Sequence, residues 1–408
     1  EVKLLNPKFT LTADTLGYNT ESYQSNLVGP TTILYEEETT ILSTNGWYNT
    51  QSELSMLLDR SQIIHADGMM LTGDTIYYDK AQGYGRCIGN IESVDSTNSM
   101  TLYGHKGEVW EKNNRAYVTD SAMLQDWSDS TAYTYMHADS LWTEEVPYQI
   151  YTLRERDSIL IDSVLTAQAP DTIWSDTTYQ QLRAFRNVRI YREDIQAVCD
   201  SARYHGRDSL ITLYGLPICW SDESQISADQ IDIYIKNEDV DYLYGQGNAI
   251  AIMQEGMTEF NQMAGKEMYA YVREGDVYLV DVRGNAETVF YPQEDDGTYV
   301  GVNRTQSSFV KVYLNNRQID HVVFTTSTTG VMIPLDQALE SEKQLSGFFW
   351  AEMERPHSPE DIFSHPERTN RPVAGTISAA SSPDDEEEEE EEEEENRNSN
   401  NRRKRNNR

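Results

Sequence analysis

Histidines, carboxylates and cysteines are the side chains here that could bind a metal ion or transfer a proton. The seven histidines are His65, His105, His137, His205, His321, His357 and His365. None has the HExxH or HxH spacing of a metal site, and the sequence contains no GxSxG or phosphate-loop motif. Asp120 and Asp126 could act as a glycosidase carboxylate pair, but solvated surface carboxylates are expected in so acidic a chain. We predict no catalytic residue, no metal, no cofactor and no enzymatic activity.

The three cysteines are Cys87, Cys199 and Cys219. An odd count leaves at least one of them unpaired within the chain, and no CxxC spacing indicates a zinc or redox site. Cys199 and Cys219 could form a disulfide bond, but a free cysteine is also a common buried residue. Both alternatives stay open.

The formal net charge is -35 at pH 7, and the acidic run at residues 384–395 supplies only part of it. Binding to nucleic acid needs clustered Lys and Arg, so we predict no nucleic-acid partner. The sequence begins at Glu1 without an apolar leader. We therefore expect that a signal peptide has been removed or that the sequence is a fragment. No stretch approaches the roughly 20 apolar residues of a membrane-spanning helix.

Internal repeats are the most informative feature of the chain. One unit begins with a small residue and Asp, and continues with alternating apolar positions. It occurs at residues 13–18, 73–79, 138–141, 199–204 and 228–233, with a divergent copy at 265–271. A second unit reads Gly-Asn and then an alternating strand. It occurs at residues 89–94, 247–252 and 284–289, and residues 187–191 keep the Asn alone.

Short polar turns separate these units, for example at residues 79–83, 112–115 and 236–239. Asn, Asp and Gly tolerate the left-handed backbone of tight hairpins. The chain therefore reads as strand, turn, strand and bend, repeated, which predicts an all-β fold of antiparallel hairpins. The Asp and Gly residues at the unit starts are expected where a strand turns a corner, because Gly permits sharp bends and bulges.

Breaks in the repeat predict the domain organisation. Repeats occupy residues 1–143 and 183–333, and an inserted loop at 144–182 contains extra strands near 148–153 and 158–165. A short helix is predicted within residues 334–354. Residues 355–408 are expected to be disordered, because their composition cannot bury a core. This acidic and then basic tail either binds a partner or anionic surface, or simply keeps the chain soluble.

The ordered recurrence of the two units over residues 9–330 resembles the OstA/LptA family, periplasmic β-jellyroll proteins of lipopolysaccharide transport. Residues 185–191, 260–266 and 284–292 are especially similar to its longer, OstA-like members. The resemblance implies an elongated two-sheet β-jellyroll shaped like a folded taco, with a lipid groove between the sheets. It also implies a periplasmic location, possible association with the outer membrane, and a role in outer-membrane assembly. The implied partners are lipopolysaccharide, inner- and outer-membrane transport components, and further copies joined head to tail through edge strands.

Seven aliphatic residues at alternating strand positions are the candidates for the lipid groove. They are Leu71, Ile76, Ile88, Ile231, Ile233, Ile250 and Ile252. They would either line such a groove or fill an ordinary sandwich core, and a one-residue slip would exchange the two faces. The leading hypothesis is a non-enzymatic lipopolysaccharide-transport scaffold. A structural β-solenoid or surface adhesin with a dry core is the alternative.

Overall fold

The structure is a computed structural model that describes residues 2–154, 159–161, 164–166, 171–237, 239–294, 296–315 and 318–366. The chain divides into two compact units, residues 1–345 with 350–369, and residues 346–349 with 370–408. In the second unit the described residues are 346–349, which contain a turn at Ser346 and Gly347. Everything below concerns the first unit, in which the predicted all-β fold of antiparallel hairpins is confirmed.

The N-terminal strands are β1 (Val2–Asn6), β2 (Phe9–Asn19), β3 (Gln24–Tyr35), β4 (Thr39–Asn49), β5 (Leu54–His65), β6 (Met69–Asp79), β7 (Tyr84–Asp95), β8 (Met100–Trp110), β9 (Arg115–Asp126), β10 (Thr134–Arg154), β11 (Ile159–Ile161) and β12 (Val164–Thr166). The later strands are β13 (Asp171–Tyr191), β14 (Gln196–His205), β15 (Leu210–Tyr214), β16 (Ile218–Ser221), β17 (Ser224–Ser227), β18 (Gln230–Lys236), β19 (Asp239–Gln254), β20 (Phe260–Arg273), β21 (Asp276–Phe290), β22 (Val302–Asn315), β23 (Gln318–Thr325) and β24 (Thr329–Ile333).

Most strands pair with the strands next to them in the chain, which gives an antiparallel meander. Some pairings in the C-terminal half skip strands: β14 also pairs with β16, β15 with β18, β17 with β19 and β22 with β24. Most strands bend once, at a register shift near the middle. The bend places the two halves of one strand in two layers. The first layer contains β15, β18 and β23, and the second layer contains β16, β17 and β24.

The two repeat units of the sequence meet at these bends. In β19, Gly247 and Asn248 have φ angles of +71° and +47°, and the Asn248 side chain donates to Asp229 Oδ2 at 3.0 Å. A Cβ atom added at Gly247 would lie 2.3 Å from Asp229 Oδ2, so the position requires glycine. Asn90 Nδ2 donates in the same way to Asp74 Oδ2 at 2.6 Å. The prediction that these motifs mark corners is therefore confirmed.

Apolar side chains from both layers point into the space between them and form two clusters. One extends from Phe9 in β2 to Ile91 in β7, and the other from Val118 in β9 to Val312 in β22. In the second cluster, many residues of the second layer are small. They are Ala122, Ala138, Ala197, Cys199, Cys219, Ala228, Ala249 and Ala286. Small side chains let the two layers approach closely, so most of this interior is filled with protein atoms.

The predicted inserted loop differs from the structure. Residues 144–154 and 171–182 continue β10 and β13 as one antiparallel hairpin that extends past the neighbouring strands. The predicted strand at 148–153 lies inside β10, whereas β11 and β12 replace the single strand predicted at 158–165. Tyr151 and Trp174 pair across this hairpin, with ring centroids 5.5 Å apart.

The segment after β24 also differs from the prediction. The short helix within 334–354 is a single turn, Glu340–Lys343, followed by a 3-10 turn at Glu352–Glu354. The predicted start of disorder at residue 355 is wrong, because residues 355–366 pack against the sheet and include the 3-10 turn Pro359–Phe363 with Ile362 fully buried. The remainder of the predicted tail, residues 367–408, lies outside the described residues.

Candidate functional site

The seven groove candidates fall into three groups. Ile76, Ile231 and Ile233 are buried in the interior clusters, and Leu71 packs against the N-terminal cluster. For these four residues the inward orientation is as predicted, although they contact other core side chains. The structure therefore places them in filled core, but in two separate clusters: Ile231 and Ile233 in one, Leu71 and Ile76 in the other.

Ile88 does not point inward. Its side chain is 40% exposed, because its neighbour Cys87 takes the inward position on β7. The groove assignment of Ile88 is therefore wrong. The strand alternates with period two, so the two adjacent residues cannot both face the interior.

Ile250 and Ile252 are buried on the opposite side of the second layer. Ala249 belongs to the interior cluster and Ala251 packs against it, so the isoleucines between and beyond them face outward. Ile252 is paired with Gln225 and Gln262, whose side chains bond a segment that covers this outer face. The groove assignment of Ile250 is therefore wrong, whereas that of Ile252 stays a prediction, because Ile252 also borders an apolar pocket.

An apolar pocket of about 130 Å³ lies between the layers at the ends of the strands opposite the corners. We call it the edge pocket. Its first-layer wall includes Val240, Leu243, Ala270, Val272, Val277, Val280, Leu314 and Ile319. Its second-layer wall includes Cys219, Ile226, Ala251, Met253 and Met263. Of the seven predicted residues, Ile252 alone borders it.

Methionines give the edge pocket an adaptable wall. Met253, Met263 and Met268 all line it, and the last two are almost fully buried. Methionine has three rotatable side-chain bonds and a polarisable sulfur, so it repacks around ligands of different shape. The pocket can therefore accept flexible apolar groups such as hydrocarbon chains.

Charged residues stand at the mouth of the edge pocket. Arg192 Nε and Nη2 donate to the two carboxylate oxygens of Asp194 at 2.5 and 2.6 Å, and Asp239 lies on the opposite lip. The hydrogen bonds to Asp194 raise the pKa of Arg192. Partial burial alone would raise the pKa of Asp194, but the bonds and charge of Arg192 outweigh it and lower that pKa. Both groups are therefore ionised at neutral pH, and the site has a polar rim above an apolar interior.

The turns on the two sides of the mouth belong to different layers. Gly275 and Asp239 lie at first-layer turns, whereas Arg192 and Asp194 lie at the second-layer turn between β13 and β14. We call the residues 192–196 and 221–224 the second-layer lip.

A segment that begins with the α-helical turn α1 (Glu340–Lys343) covers the outer face of the second layer. We call residues 340–345 and 350–366 the C-terminal strap. Gln262, which is 1% exposed, donates to Lys343 O and accepts from the Leu345 N–H, both at 2.8 Å. Gln225 accepts from the Ala351 N–H at 2.9 Å. Buried glutamines thus bind the strap through its backbone.

Two arginines make hydrogen bonds that hold the strap on the sheet. Arg304 of β22 donates from Nη1 to Ser341 O at 2.9 Å. Within the strap itself, Arg355 donates from Nε to Gln196 Oε1 at 2.8 Å. Charged donors make these bonds stronger than neutral ones.

The far end of the strap lies on β10 and β13. Arg189 donates to Glu354 O at 2.9 Å and to Asp361 O at 3.2 Å. The ring of Phe363 packs on His137, with centroids 4.8 Å apart. Burial lowers the pKa of His137, whose Nδ1 lies 2.8 Å from Ala122 O. The strap therefore spans the second layer from β22 to β10.

Sequence reasoning missed both the edge pocket and the strap. A signal for the strap is present at residues 249–253, where alanine, isoleucine and methionine follow one another without a polar residue. Such a run is typical of a strand buried on both faces. The edge pocket has no comparable local signal, because its wall comes from strands far apart in the chain.

Neither a metal centre nor a membrane-spanning helix is found in the part of the chain that the structure describes. No three His, Cys, Asp or Glu side chains there are grouped as metal ligands, and no helix there is long and apolar enough to cross a membrane. Also within the described ranges, no disulfide bond joins Cys199 to Cys219. The Cys199 thiol instead donates to Ser201 O at 3.3 Å.

Comparison with known proteins gives a partial structural similarity. No protein-family profile and no curated protein matches the chain. One solved structure with some similarity is that of LptH, the LptA-homologous periplasmic component of the conserved lipopolysaccharide transport device of Pseudomonas aeruginosa. It is 12% identical, with a TM-score of 0.28, and the match covers 35% of this chain and 96% of that chain.

Proposed function

We propose that the protein binds the acyl chains of lipopolysaccharide and carries this lipid across the periplasm to the outer membrane as a non-enzymatic scaffold. The observation that carries the proposal is the edge pocket, an apolar opening between the layers with a charged rim. Lipids have the same division into an apolar body and a polar head. The choice of lipopolysaccharide among lipids rests on the similarity of the repeat units to the OstA/LptA family.

The size of the edge pocket suits the end of one acyl chain. Its volume of about 130 Å³ is close to the roughly 150 Å³ of an engineered apolar cavity that binds benzene. Each methylene group removed from water contributes about 0.8 kcal/mol. A few methylene groups would therefore give measurable binding, and a longer chain would require the methionine wall to move.

Sheet edges support the proposed association with partners. Within the described ranges β1 is paired with β2 alone, and its other edge is open. Leu5 on this strand is largely exposed. Unpaired backbone groups on an edge strand can pair with another chain. We propose that β1 joins a further copy or a membrane transport component in this way.

Lipid extraction tests the proposal directly. Mass spectrometry of lipid extracted from purified protein should detect lipid A species, and delipidated protein should bind a fluorescent fatty acid. Ala270 lines the edge pocket, so Ala270→Phe should fill it and reduce binding several-fold. Ala66→Phe, at an exposed turn, is the control and should bind normally. Protein that carries no lipid and takes up no fatty acid would contradict the proposal.

A structural protein with a dry interior is the second candidate. The observation that favours it is the filling of the interior clusters, in which Leu57, Leu141, Leu213 and Ile231 are fully buried. The same extraction separates the two candidates, because a dry structural protein contains no lipid and its edge pocket excludes the fatty acid.

A further inference from the structure

Arg355 of the C-terminal strap bonds both turns of the second-layer lip. Its Nε atom donates to Gln196 Oε1 at 2.8 Å, and its Nη1 atom donates to Asp222 O at 2.7 Å. Gln196 lies at the start of β14, after the turn that carries Arg192. Asp222 lies in the turn between β16 and β17. One guanidinium group therefore links two separate turns at the mouth of the edge pocket.

The Gln196 side chain also makes hydrogen bonds to the backbone of its own turn. Its Nε2 atom donates to Arg192 O at 2.6 Å and to Glu193 O at 3.1 Å. Arg192 and Asp194 line the edge pocket, as do Ser221 and Ser224 on the other turn. The chain of contacts runs from the strap, through the buried Gln196 side chain, to the pocket mouth.

The geometry of Arg355 suits a side chain that holds two turns together. Its side chain is 15% exposed, and Glu352 lies 3.7 Å from Nη1. A planar guanidinium has donors in fixed directions and can reach two acceptors at once, whereas the ammonium group of lysine is a compact point charge. Lysine at this position would keep the positive charge but would lose the fixed pair of bonds.

We infer that Arg355 is a positioning residue that fixes the second-layer lip and thereby sets how fast a ligand enters and leaves the edge pocket. The ligand part of this inference rests on the proposed lipid-binding function. The ordering of the lip does not, because it follows from the bonds of Arg355 and Gln196 alone. Two separate measurements therefore distinguish the two parts.

Hydrogen exchange of the full chain measures how well the second-layer lip is ordered. Stopped-flow release of a dansyl-labelled fatty acid measures how fast a ligand leaves the edge pocket. The variants are R355A and R355K. The matched control is R304A, because Arg304 also bonds strap carbonyls, Ser341 O and Gln344 O, but on β22, away from the lip. If R355A does not fold, R355K provides the same comparison with its charge retained.

In R355A, amide exchange at residues 192–196 and 221–224 should rise by about tenfold, the factor for roughly 1.4 kcal/mol of lost hydrogen bonding. Release of the fatty acid should accelerate with it. R355K should lie between R355A and wild type, and R304A should match wild type in both measurements.

Equal lip exchange in R355A and R304A would overturn the inference. Faster exchange with unchanged release would overturn the link to the pocket. Wild-type protein that binds no fatty acid would overturn the proposed function, and the exchange comparison would still decide whether Arg355 holds the lip.

Discussion

Replacing Gln262 with leucine should release one end of the C-terminal strap. The side chain is almost fully buried and makes two bonds to the strap backbone, to Lys343 O and from the Leu345 N–H. Leucine has a similar size and neither polar atom. The change therefore removes these bonds with little effect on packing volume.

The loss of unfolding free energy follows from the hydrogen bonds that each strap atom keeps in the variant. Lys343 O keeps a hydrogen bond from the Tyr291 hydroxyl at 3.4 Å, so it is not left without a donor. The Leu345 N–H loses its bond to Gln262 in a buried position, and an unsatisfied buried donor costs about 1–3 kcal/mol. We expect Gln262→Leu to lower the free energy of unfolding by about 2 kcal/mol.

Urea unfolding and limited proteolysis measure this effect together. The variant should have a lower urea midpoint, and cleavage near residue 345 should be faster than in wild type. Gln125→Leu is the control, because Gln125 lies on β9 and its side chain accepts a hydrogen bond from the Tyr103 hydroxyl within the sheet, not from the strap. The control loses only this half-buried bond, so it should cost less stability than Gln262→Leu and leave cleavage near residue 345 unchanged. If Gln262→Leu unfolds like the control and resists protease like wild type, the buried glutamines do not hold the strap.

Three further changes test other features. Gly247→Ala should destabilise the fold by about 1–3 kcal/mol, because φ is +71° and the added Cβ has no room. Gly275→Ala is the control and should cost less, because no atom lies within 4 Å of its added Cβ. Equal urea midpoints for the two variants would contradict this expectation. Burial lowers the pKa of His137, so the unfolded chain binds this proton more readily than the folded one, and stability should fall as pH drops below about 6.5. His137→Gln should show a smaller loss between pH 7.5 and 5.5, and an unchanged loss would refute the assignment. Burial raises the pKa of the Cys219 thiol to about 12, so it should react with a thiol reagent at pH 8 only after unfolding; rapid reaction of the native protein would contradict its burial.

The corners could be predicted from the sequence because a single local rule fixes them. Gly and Asn at adjacent positions adopt positive φ readily, and the Asp that bonds the Asn recurs at a fixed place in the neighbouring unit. The strands between the corners follow from the same spacing. This local information is sufficient for the fold class and for the antiparallel hairpins.

The faces of the strands could not be predicted in the same way. The register shift at a corner changes the parity of the inward position in some strands but not in others. In β20 the inward residues are Met263 before the corner and Met268 after it, whereas in β19 Leu243 and Ala249 keep the same parity. Isoleucine at residue 250 was expected to point inward because it is larger than the alanine beside it. The structure places the alanine in the interior cluster and buries the isoleucine on the opposite face of the second layer.

The sequence of the strap itself gives little indication that it packs on the sheet. Residues 350–366 contain prolines, charges and short polar side chains, a composition that favours disorder. Most of the bonds described for the strap use its backbone atoms, whose positions side-chain patterns do not reveal. Burial of such a segment depends on the sheet beneath it. For this reason the sequence predicts a disordered tail for residues 355–366 and only a short helix within residues 334–354.

The strap follows all of the described strands in the sequence, and this order has a consequence for biosynthesis. The meander can form in order as the chain leaves the ribosome, because each hairpin needs only the preceding one. The strap is synthesised after all of these strands. Until it arrives, the outer face that carries Ile250, Ile252 and Trp220 is open to water. A chain that stops before residue 345 would thus have its complete sheet and still expose an apolar surface, which promotes aggregation and recruits chaperones.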